Sequence, residues 1–250
     1  MGLFDSFDDK TDPIISPNQL VNKIDGFPKV AVVAFSSHMI TALQAQYQPV
    51  QIDEMVACVR IPVYQIQYAN KTIAVYCSTL GGPAASGLME EMYAKGCEKF
   101  VFFGSCGVLN HDIAEKSLTV PTAAYRDEGT SYHYMPPSDY VQIQTATKLA
   151  AIFTELKLKH VLGKTWTTDA FYRETRGNMA KRKVDGCITV EMECASVMAV
   201  GQFRNIPVYQ FLYAADSLDA AEWDPRVLGS LPQDAREKLL RIALEVAVRV

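Results

Sequence analysis

The chain lacks the residue clusters that mark a metal-binding protein. Its 250 residues contain six cysteines, with no Cys-x-x-Cys pair among them, and four histidines that do not cluster with the cysteines. Zinc sites depend on closely spaced cysteine and histidine ligands, so the sequence predicts no metal site.

Long apolar runs and a secretory signal are also missing. One of the longest apolar runs covers residues 30–35, whereas a membrane helix needs about 18 consecutive apolar residues. We therefore expect no membrane partner. Without a secretory signal, the cysteines are expected to stay reduced in a cytoplasmic protein.

Positive charge is not in excess. The 24 Lys and Arg residues are outnumbered by 28 Asp and Glu residues, which gives a formal charge of −4. A protein without a strong positive field is not expected to have nucleic acid as its main partner. An anionic small ligand would have to be held by a few local groups.

The chain does have the composition of a soluble globular protein, with 49% apolar and 21% charged residues. A chain of this length can bury roughly three quarters of its unfolded surface, so it needs no disulfide to hold a core. No repeat or linker follows residue 17. We therefore predict a single domain over residues 1–250, in which residues 1–17 form a mobile leader.

Short β-rich runs alternate with helical patterns along the chain. The predicted strands cover residues 29–35, 63–68, 72–76, 99–103, 117–120, 160–165 and 207–213, with a hairpin around Asn70. The predicted helices cover residues 87–95, 138–157 and 191–203, and a last helix follows a capping-box pattern at 230–233. This alternation predicts a three-layer α/β/α fold around one central sheet.

Ligands of such a sheet gather at the carboxyl ends of the strands, so we examine the loops there. The two glycines of Gly104–Gly107 would let backbone N–H groups approach an anion, with Ser105 as a further donor. A tight turn explains the same residues. Gly81–Ser86 would place an anion at a helix N-terminus, or would allow close helix packing.

Acidic residues stand in two unusual places. Glu191 and Glu193 open an otherwise apolar helix, either as an ordinary first-turn preference or as buried carboxylates that need hydroxyl partners such as a ribose diol. Asp216 ends a strand, where it is a candidate general acid if burial raises its pKa, or else a cap. Residues 126–134 are dense in polar and aromatic groups, as loops at sites or subunit interfaces are.

These segments together resemble a known family. The motifs are GSCG at 104–107, RDEGTSYHY at 126–134, TTDAFYRE at 167–174, VEMECAS at 190–196 and AADS at 214–217. They resemble the nucleoside phosphorylase family, which holds hexameric purine nucleoside phosphorylases and uridine phosphorylases, and the resemblance covers about residues 27–250.

The resemblance implies one α/β domain with a mixed, partly barrel-like sheet. It also implies reversible phosphorolysis, in which a nucleoside and phosphate give a free base and a pentose 1-phosphate. Phosphate is then a co-substrate and no cofactor is needed. The implied protein is a homo-oligomer built from dimers, up to a hexamer, that serves nucleotide salvage.

The resemblance also implies roles for the residues that would contact the nucleoside. Glu193 would bind the 2′- and 3′-hydroxyls of the sugar, and Met192 would pack against the sugar. Glu191 would lie near the base or the sugar, and Phe171 would stack near the base. Asp216 would protonate a purine at N7, which makes the base a better leaving group.

The implied phosphate site departs from the family's pattern. Ser105 and Gly104 match it, but the family usually carries an arginine after the first strand, where this chain has Ser36 and His38. A third arginine, supplied by a neighbouring subunit, would correspond to Arg60. Fewer cations should weaken phosphate binding, since each charge-assisted hydrogen bond contributes about 1.5–3 kcal/mol.

Phe102 stands where the family has a further phosphate arginine, and this leaves three interpretations open. The first is a nucleoside phosphorylase that prefers purines, which Asp216 favours. The second is a nucleosidase that uses water, and the third is a non-catalytic nucleoside-binding protein. A uridine phosphorylase would carry a glutamine and an arginine after the stacking phenylalanine, which Arg173 matches only loosely.

Overall fold

The computed structural model describes residues 2–56, 58–110, 112 and 117–250. Ten strands in this part of the chain belong to one mixed sheet. In chain order they are β1 Val30–Ala34, β2 Val50–Val56, β3 Arg60–Tyr68, β4 Lys71–Cys77, β5 Lys99–Val108, β6 Leu118–Asp127, β7 Tyr140–Gln142, β8 His160–Thr168, β9 Cys187–Glu191 and β10 Val208–Ser217.

Part of this sheet closes on itself. β5 pairs with both β10 and β9, and β10, β6, β8 and β9 are neighbours in that order, so five strands form a ring. β1, β4, β3 and β2 extend the sheet from the first half of β5. The expected mixed, partly barrel-like α/β fold is confirmed.

Helices cover the sheet. They are α1 Pro17–Leu20, α2 Ser37–Tyr47, α3 Gly82–Lys95, α4 Ser131–Tyr134, α5 Ala146–Glu155, α6 Arg176–Val184, α7 Cys194–Arg204 and α8 Gln233–Ala247. α3 packs against α7, α2 packs against α8, and α5 lies against β6, β8 and β10. All five residues of β1 are buried, as expected for a strand covered on both faces.

A crevice opens where two strands diverge from β5. β1 pairs with β5 only as far as the Ala34–Phe103 pair. β9 pairs with β5 only at Gly107 and Val108. Between these two stretches neither β1 nor β9 is paired with β5, and such a divergence is where open α/β sheets bind their ligands.

Four predicted strand ends are wrong because the strands continue, and one of them is β8, which runs to Thr168 instead of residue 165. β5 runs through Gly104–Gly107 instead of turning there, and the neighbouring β10 continues to include Asp216. β6 passes through Pro121, and its register against β8 shifts between Pro121 and Ala123. Strands tolerate a proline at such irregularities because a ladder hydrogen bond is already lost there.

All four predicted helix starts are also wrong, and α3, predicted from residue 87, already begins at Gly82. The first part of the helix predicted at 138–157 holds β7, and α5 begins only at Ala146. The helix predicted from Glu191 begins at Cys194, because Glu191 still belongs to β9. α8 has Pro232 at its N-cap without a side-chain cap, so the predicted capping box at 230–233 is not formed.

The predicted hairpin around Asn70 is confirmed. β3 and β4 pair antiparallel, with Tyr68 opposite Lys71. Ala69 and Asn70 between them have φ angles of 45° and 62°, and two-residue hairpin turns favour positive φ at both positions.

The segment predicted as a mobile leader makes at least one packing contact. The ring of Phe4 meets the ring of Tyr132 edge-on, with 5.0 Å between the centroids. The mobility of residues 1–17 stays a prediction.

Candidate active site

A cavity of about 620 Å³ opens at the crevice beside β5, and we call it the main cavity. Its wall includes seven residues that the sequence had singled out from separate segments. They are Gly104, Ser105, Phe171, Glu191, Met192, Glu193 and Asp216. The fold therefore brings the predicted sugar, base and phosphate groups to one place.

Glu191 is bonded mainly to its own chain. Its buried carboxylate accepts hydrogen bonds from Thr167 Oγ1 at 2.6 Å and from the backbone N–H groups of Glu193 at 2.8 Å and Cys194 at 2.6 Å. Burial raises the pKa of Glu191 to about 7, although these donors act in the opposite direction. The side chain thus holds the turn between β9 and α7.

Glu193 has more capacity left for a ligand. It stands at the N-cap of α7, is 5% exposed, and accepts the Gly81 N–H at 2.7 Å. Burial and then the Glu191 carboxylate raise the pKa of Glu193 to about 8, while the N–H groups of Gly81 and Met192 lower it. A carboxylate offers about four acceptor sites, so ligand hydroxyls can still bind.

The glycine turn before α3 donates a hydrogen bond to the Glu193 carboxylate and allows two helices to pack closely. Gly81 has a φ of 96°, and its N–H is taken by Glu193. A Cβ on Gly82 would lie 2.1 Å from Ser196 Oγ, so glycine allows α3 to approach α7. The anion at this helix end is the protein's own, which supports the packing interpretation.

Asp216 lies in β10 just after a register shift that follows Ala214. Its Oδ2 accepts a hydrogen bond from Trp223 Nε1 at 2.8 Å. Burial raises the pKa of Asp216 above its usual range, and the Trp223 bond partly offsets this. A raised carboxyl pKa is what a general acid at neutral pH requires.

Glu174 is a second carboxyl that lines the main cavity, and sequence reasoning assigned it no role. Burial, and then the charge of Asp216, raise the pKa of Glu174 to about 7. Two neighbouring carboxyls favour the state in which one of them holds a proton. The short 3₁₀ turn Phe171–Arg173, which brings Glu174 back to the cavity, has no clear signal in the sequence.

Aromatic rings form the open edge of the main cavity. Phe171 is 43% exposed and Tyr172 is 89% exposed, with 4.1 Å between their ring centroids. Trp223 is also more than half exposed and lines the cavity. Exposed rings beside an apolar slot suit the flat faces of a base.

Arg173, the loose match to a pyrimidine pattern, lines neither cavity, and its part in the substrate site stays a prediction. Arg176 lines the main cavity instead. Its guanidinium donates to the backbone oxygens of Leu218 at 2.9 Å, Ala220 at 2.6 Å and Ala221 at 2.7 Å. Arg176 therefore holds the loop after β10 in place.

Phe35 covers the segment where an anion was expected to approach the backbone. A Cβ on Gly104 would lie 2.9 Å from Phe35 Cδ2. The Phe35 ring also stacks on Phe102, with 5.9 Å between the centroids. Glycine at position 104 thus makes room for an aromatic ring, and its part in binding phosphate stays a prediction.

A second cavity of about 190 Å³ adjoins the first, and we call it the small cavity. Phe35, Ser105 and Leu228 line both. The polar side chains around the small cavity come from four elements of the fold. They are Ser36, His38, Ser105, Tyr213 and Arg236.

The small cavity unites three of the five predicted phosphate residues, Ser36, His38 and Ser105. Arg236 is an addition that sequence reasoning missed. It lies in α8, far along the chain from the other groups, and the sequence shows only a basic residue on an amphipathic helix.

Arg60 lies outside both cavities of its own chain. It begins β3, forms an ion pair with Glu54 of β2, and has a side chain that is 76% exposed. Its contribution to the site of a neighbouring subunit stays a prediction.

The polar loop at 126–134 forms a buried network behind α7 and lines neither cavity. Glu128 accepts hydrogen bonds from Ser131 and from Ser196 of α7. Arg126 Nε donates to Ser131 Oγ at 2.7 Å. The loop therefore supports the helix that carries Glu193 at its N-cap, and its predicted part in a subunit interface stays a prediction.

Gln210 is a further residue of the main cavity that the sequence did not indicate. It is 2% exposed, and neither oxygen nor nitrogen of its amide has a hydrogen-bond partner in the described part of the chain. It lies beside Phe102 across the β10–β5 pair. Because buried amides are nearly always bonded, this one points to a partner that a ligand supplies.

Three further observations bear on the kind of protein. Over the residues that the structure describes, no helix is long and apolar enough to cross a membrane. In the same residues, no group of three or more His, Cys, Asp or Glu side chains could hold a metal ion. All six cysteines are unpaired.

The chain is also similar to known protein families and to individual proteins. Residues 29–247 match the family model of the phosphorylase superfamily. A DeoD-type purine nucleoside phosphorylase of Exiguobacterium sp. is 22% identical over 187 residues, which cover 73% of this chain and 78% of that protein. A guanosine phosphorylase of Halorubrum lacusprofundi is 29% identical over 134 residues, 52% of this chain and 55% of that one.

Two further proteins are similar to this chain. An uncharacterized protein of Acanthamoeba polyphaga mimivirus is 26% identical over 153 residues, so the aligned part spans 61% of this chain and 60% of the viral protein. The solved purine nucleoside phosphorylase of Toxoplasma gondii, in complex with immucillin-H, has a TM-score of 0.73 at 20% identity and covers 89% of this chain and 90% of that one. At this identity the similarity shows a shared fold.

Proposed function

The chain belongs to the phosphorylase superfamily, and from that premise we propose that it is a nucleoside phosphorylase that prefers purines. The reaction is the transfer of a pentosyl group from a base to inorganic phosphate. The relatives named purine nucleoside phosphorylase and guanosine phosphorylase support both the enzyme class and the base preference.

One observation carries the proposal. Two neighbouring glutamates line one cavity, and they differ in how much of their hydrogen-bond acceptor capacity is taken up by the protein itself. Glu191 is bonded to three donors of its own chain. Glu193 accepts from Gly81 and keeps acceptor capacity toward the main cavity. A vicinal diol matches that capacity, because one carboxylate can accept from two adjacent hydroxyl groups.

The base would lie between the aromatic edge and Asp216. The C1′–N bond breaks with its electron pair going to the base, and Asp216 donates a proton to N7 of the purine. A phosphate oxygen forms the new bond to C1′, and the proton of phosphate restores the acid. Stabilising the leaving base in this way is worth roughly 10²–10⁴-fold in rate.

The sugar would gain positive charge as the old bond breaks before the new one is complete. That positive charge would favour the ionised form of Glu193, whose pKa of about 8 otherwise keeps it mostly protonated at neutral pH. Met192 lines the same wall and would pack against the sugar. Groups fixed in advance toward a developing charge are a main source of catalysis.

Phosphate would be bound near Ser105, which lines both cavities. Ser36 and His38 support this placement because the small cavity brings them to Ser105. No cofactor enters this scheme.

A nucleosidase is the second candidate, and one specific observation favours it. Glu174 lines the main cavity and has its pKa raised to about 7. A carboxyl of that pKa can take a proton from water near neutral pH. Water would then replace phosphate as the attacking group, and the product would be the free pentose.

Product analysis with inosine separates the two functions. We expect hypoxanthine release to depend on inorganic phosphate and to be accompanied by an equal amount of pentose 1-phosphate. Release at the full rate in phosphate-free buffer, with free pentose as the sugar product, would assign the hydrolytic reaction. Adenosine, guanosine and uridine in the same assay rank the bases, with uridine expected last.

We also propose a cytoplasmic homo-oligomer, dimer-based and up to hexameric, that serves nucleotide salvage. The six unpaired cysteines support a reducing compartment. Equilibrium sedimentation of the purified protein tests the assembly.

A further inference from the structure

The main cavity is poorly suited to bind an anion. Its wall carries the carboxyl groups of Glu174, Glu191, Glu193 and Asp216. The basic residue of that wall is Arg176, whose guanidinium is engaged with three backbone oxygens. Among the described residues, this space therefore offers a phosphate no positive charge that is free to pair with it.

Aromatic rings also occupy the space beside Gly104. Phe35 lies over Gly104, and Phe102, stacked against it, is fully buried. Neither ring offers a hydrogen-bond donor. An anion at that position would lose its water without gaining a partner, which is costly.

We propose that the phosphate site lies in the small cavity, with Arg236 of the same chain as its cation. The inference rests on the proposed function and adds to it the place and the principal residue of the co-substrate site. Ser105, which lines both cavities, marks the point where phosphate and nucleoside would meet.

Arg236 has the properties of a ligand-binding cation. It is half-buried in the first turn of α8 and lines the small cavity. No carboxylate in the described part of the chain forms an ion pair with it. A guanidinium that is not neutralised can form two parallel hydrogen bonds to a phosphate.

The remaining polar groups of the small cavity can act as hydrogen-bond donors. Ser36 is the N-cap of α2, but its side chain makes no capping bond, so its hydroxyl is available. His38 is exposed at the same end of α2. Ser105 shares a hydrogen bond with Tyr213, which fixes the orientation of its hydroxyl.

The size of the small cavity agrees with this use. Its volume is about 190 Å³, whereas a water molecule occupies about 30 Å³ in the liquid. The cavity therefore has room for a small tetrahedral anion and a few waters, but not for a nucleoside. The adjoining main cavity, at about 620 Å³, has the room that a nucleoside needs.

Steady-state kinetics of the full-length protein, with inosine and inorganic phosphate, test the proposal. Arg236→Gln removes the charge and keeps most of the side-chain length. Arg241→Gln is the matched control, because Arg241 lies exposed on the same helix and lines neither cavity. Arg60→Gln distinguishes a cation supplied by a neighbouring subunit.

We expect Arg236→Gln to raise the KM for phosphate at least tenfold and to leave the KM for inosine within about twofold. Arg241→Gln should match the wild type in both constants, and Arg236→Lys should recover part of the loss. An unchanged phosphate KM in Arg236→Gln would overturn the proposal, as would a large increase in Arg60→Gln alone.

Thermal unfolding provides a readout that does not depend on turnover. Phosphate should raise the Tm of the wild type and of Arg241→Gln, because a ligand of the native state stabilises it, but not that of Arg236→Gln. Base release without phosphate would refute the proposed function, and the Tm shift would then decide the anion site by itself. Equal phosphate shifts in all variants would overturn the site.

Discussion

The two cavities differ in charge and in the elements that build them. The main cavity is lined by four carboxyl groups, and the strands β5, β9 and β10 provide much of its wall. The small cavity has a cation, a histidine and hydroxyl groups, and the starts of α2 and α8 provide most of them. In the proposed site, nucleoside and anion occupy these two cavities and meet at Ser105, which lines both.

The main cavity also shows how the chain keeps one carboxylate available. Glu191 uses its oxygens on Thr167 and on the first backbone N–H groups of α7. This fixes the turn that presents Glu193 to the cavity. Substitution of Glu193 therefore tests the contact with the ligand. Substitution of Glu191 tests the support of the turn before α7.

Among substitutions in the main cavity, Asp216→Asn should lower turnover the most. Loss of the proton donor should lower turnover of inosine about a thousandfold, within the roughly 10²–10⁴-fold range of general acid catalysis. The loss should be much smaller with 7-methylguanosine, whose imidazole ring already carries positive charge. Initial rates with both substrates make the test, and equal losses would leave Asp216 a structural role only.

Glu193→Gln should lower turnover of ribonucleosides about a hundredfold while the protein stays folded, because the amide has one acceptor oxygen in place of two and cannot become negatively charged. The loss should shrink with a 2′-deoxynucleoside if the 2′-hydroxyl is the main partner. Near-normal kinetics of this variant would remove Glu193 from the sugar site.

Glu191→Gln is the matched comparison for that variant. It loses an acceptor for N–H groups at the start of α7, so its Tm should fall more than that of Glu193→Gln. Its losses of turnover should be the same for ribo- and deoxyribonucleosides. A selective loss on ribonucleosides would instead show that Glu191 contacts the diol.

Gln210→Leu should reduce kcat/KM for inosine about tenfold, as expected for one lost hydrogen bond to a bound ligand. The same change should leave Tm equal or higher, because it removes a buried amide that has no partner in the described part of the chain. Kinetics and thermal unfolding of one preparation test the lower kcat/KM and the equal or higher Tm together. A lower Tm with unchanged kinetics would give Gln210 a structural role.

The pH dependence of stability is the smallest effect and follows from the raised carboxyl pKa values. Glu193 has a pKa of about 8 in the folded protein, above the roughly 4.3 of an unfolded chain. The native state therefore binds more protons between these values, and stability falls as pH rises through 8. Tm measured from pH 6 to 9 should decline less in Glu193→Gln than in the wild type, and parallel declines would contradict this.

The sequence predicted the class of fold because strands and helices alternate with clear apolar patterns. It also predicted the hairpin at Asn70 and several of the residues that line the main cavity. It misjudged strand ends at Gly104 and Pro121, because glycine and proline usually end a strand and only pairing with β10 and β8 shows that they do not. Tertiary pairing decides such boundaries against local preference.

The site residues that the sequence missed share one property. Arg236, Gln210 and Glu174 belong to segments that carry no local motif, and they reach the cavities only through the packing of α8, the register of β10 and a 3₁₀ turn. No spacing rule connects them with Ser105 or Glu193. Contacts of this kind depend on the whole fold.

The kinetic constants of two variants show whether the two reactants occupy separate cavities. The KM for phosphate and the kcat/KM for inosine are measured for Arg236→Gln and Glu193→Gln. The account predicts that Arg236→Gln raises only the phosphate KM and that Glu193→Gln lowers only the inosine constant. If both variants change both constants together, the two reactants share one site and the account is wrong.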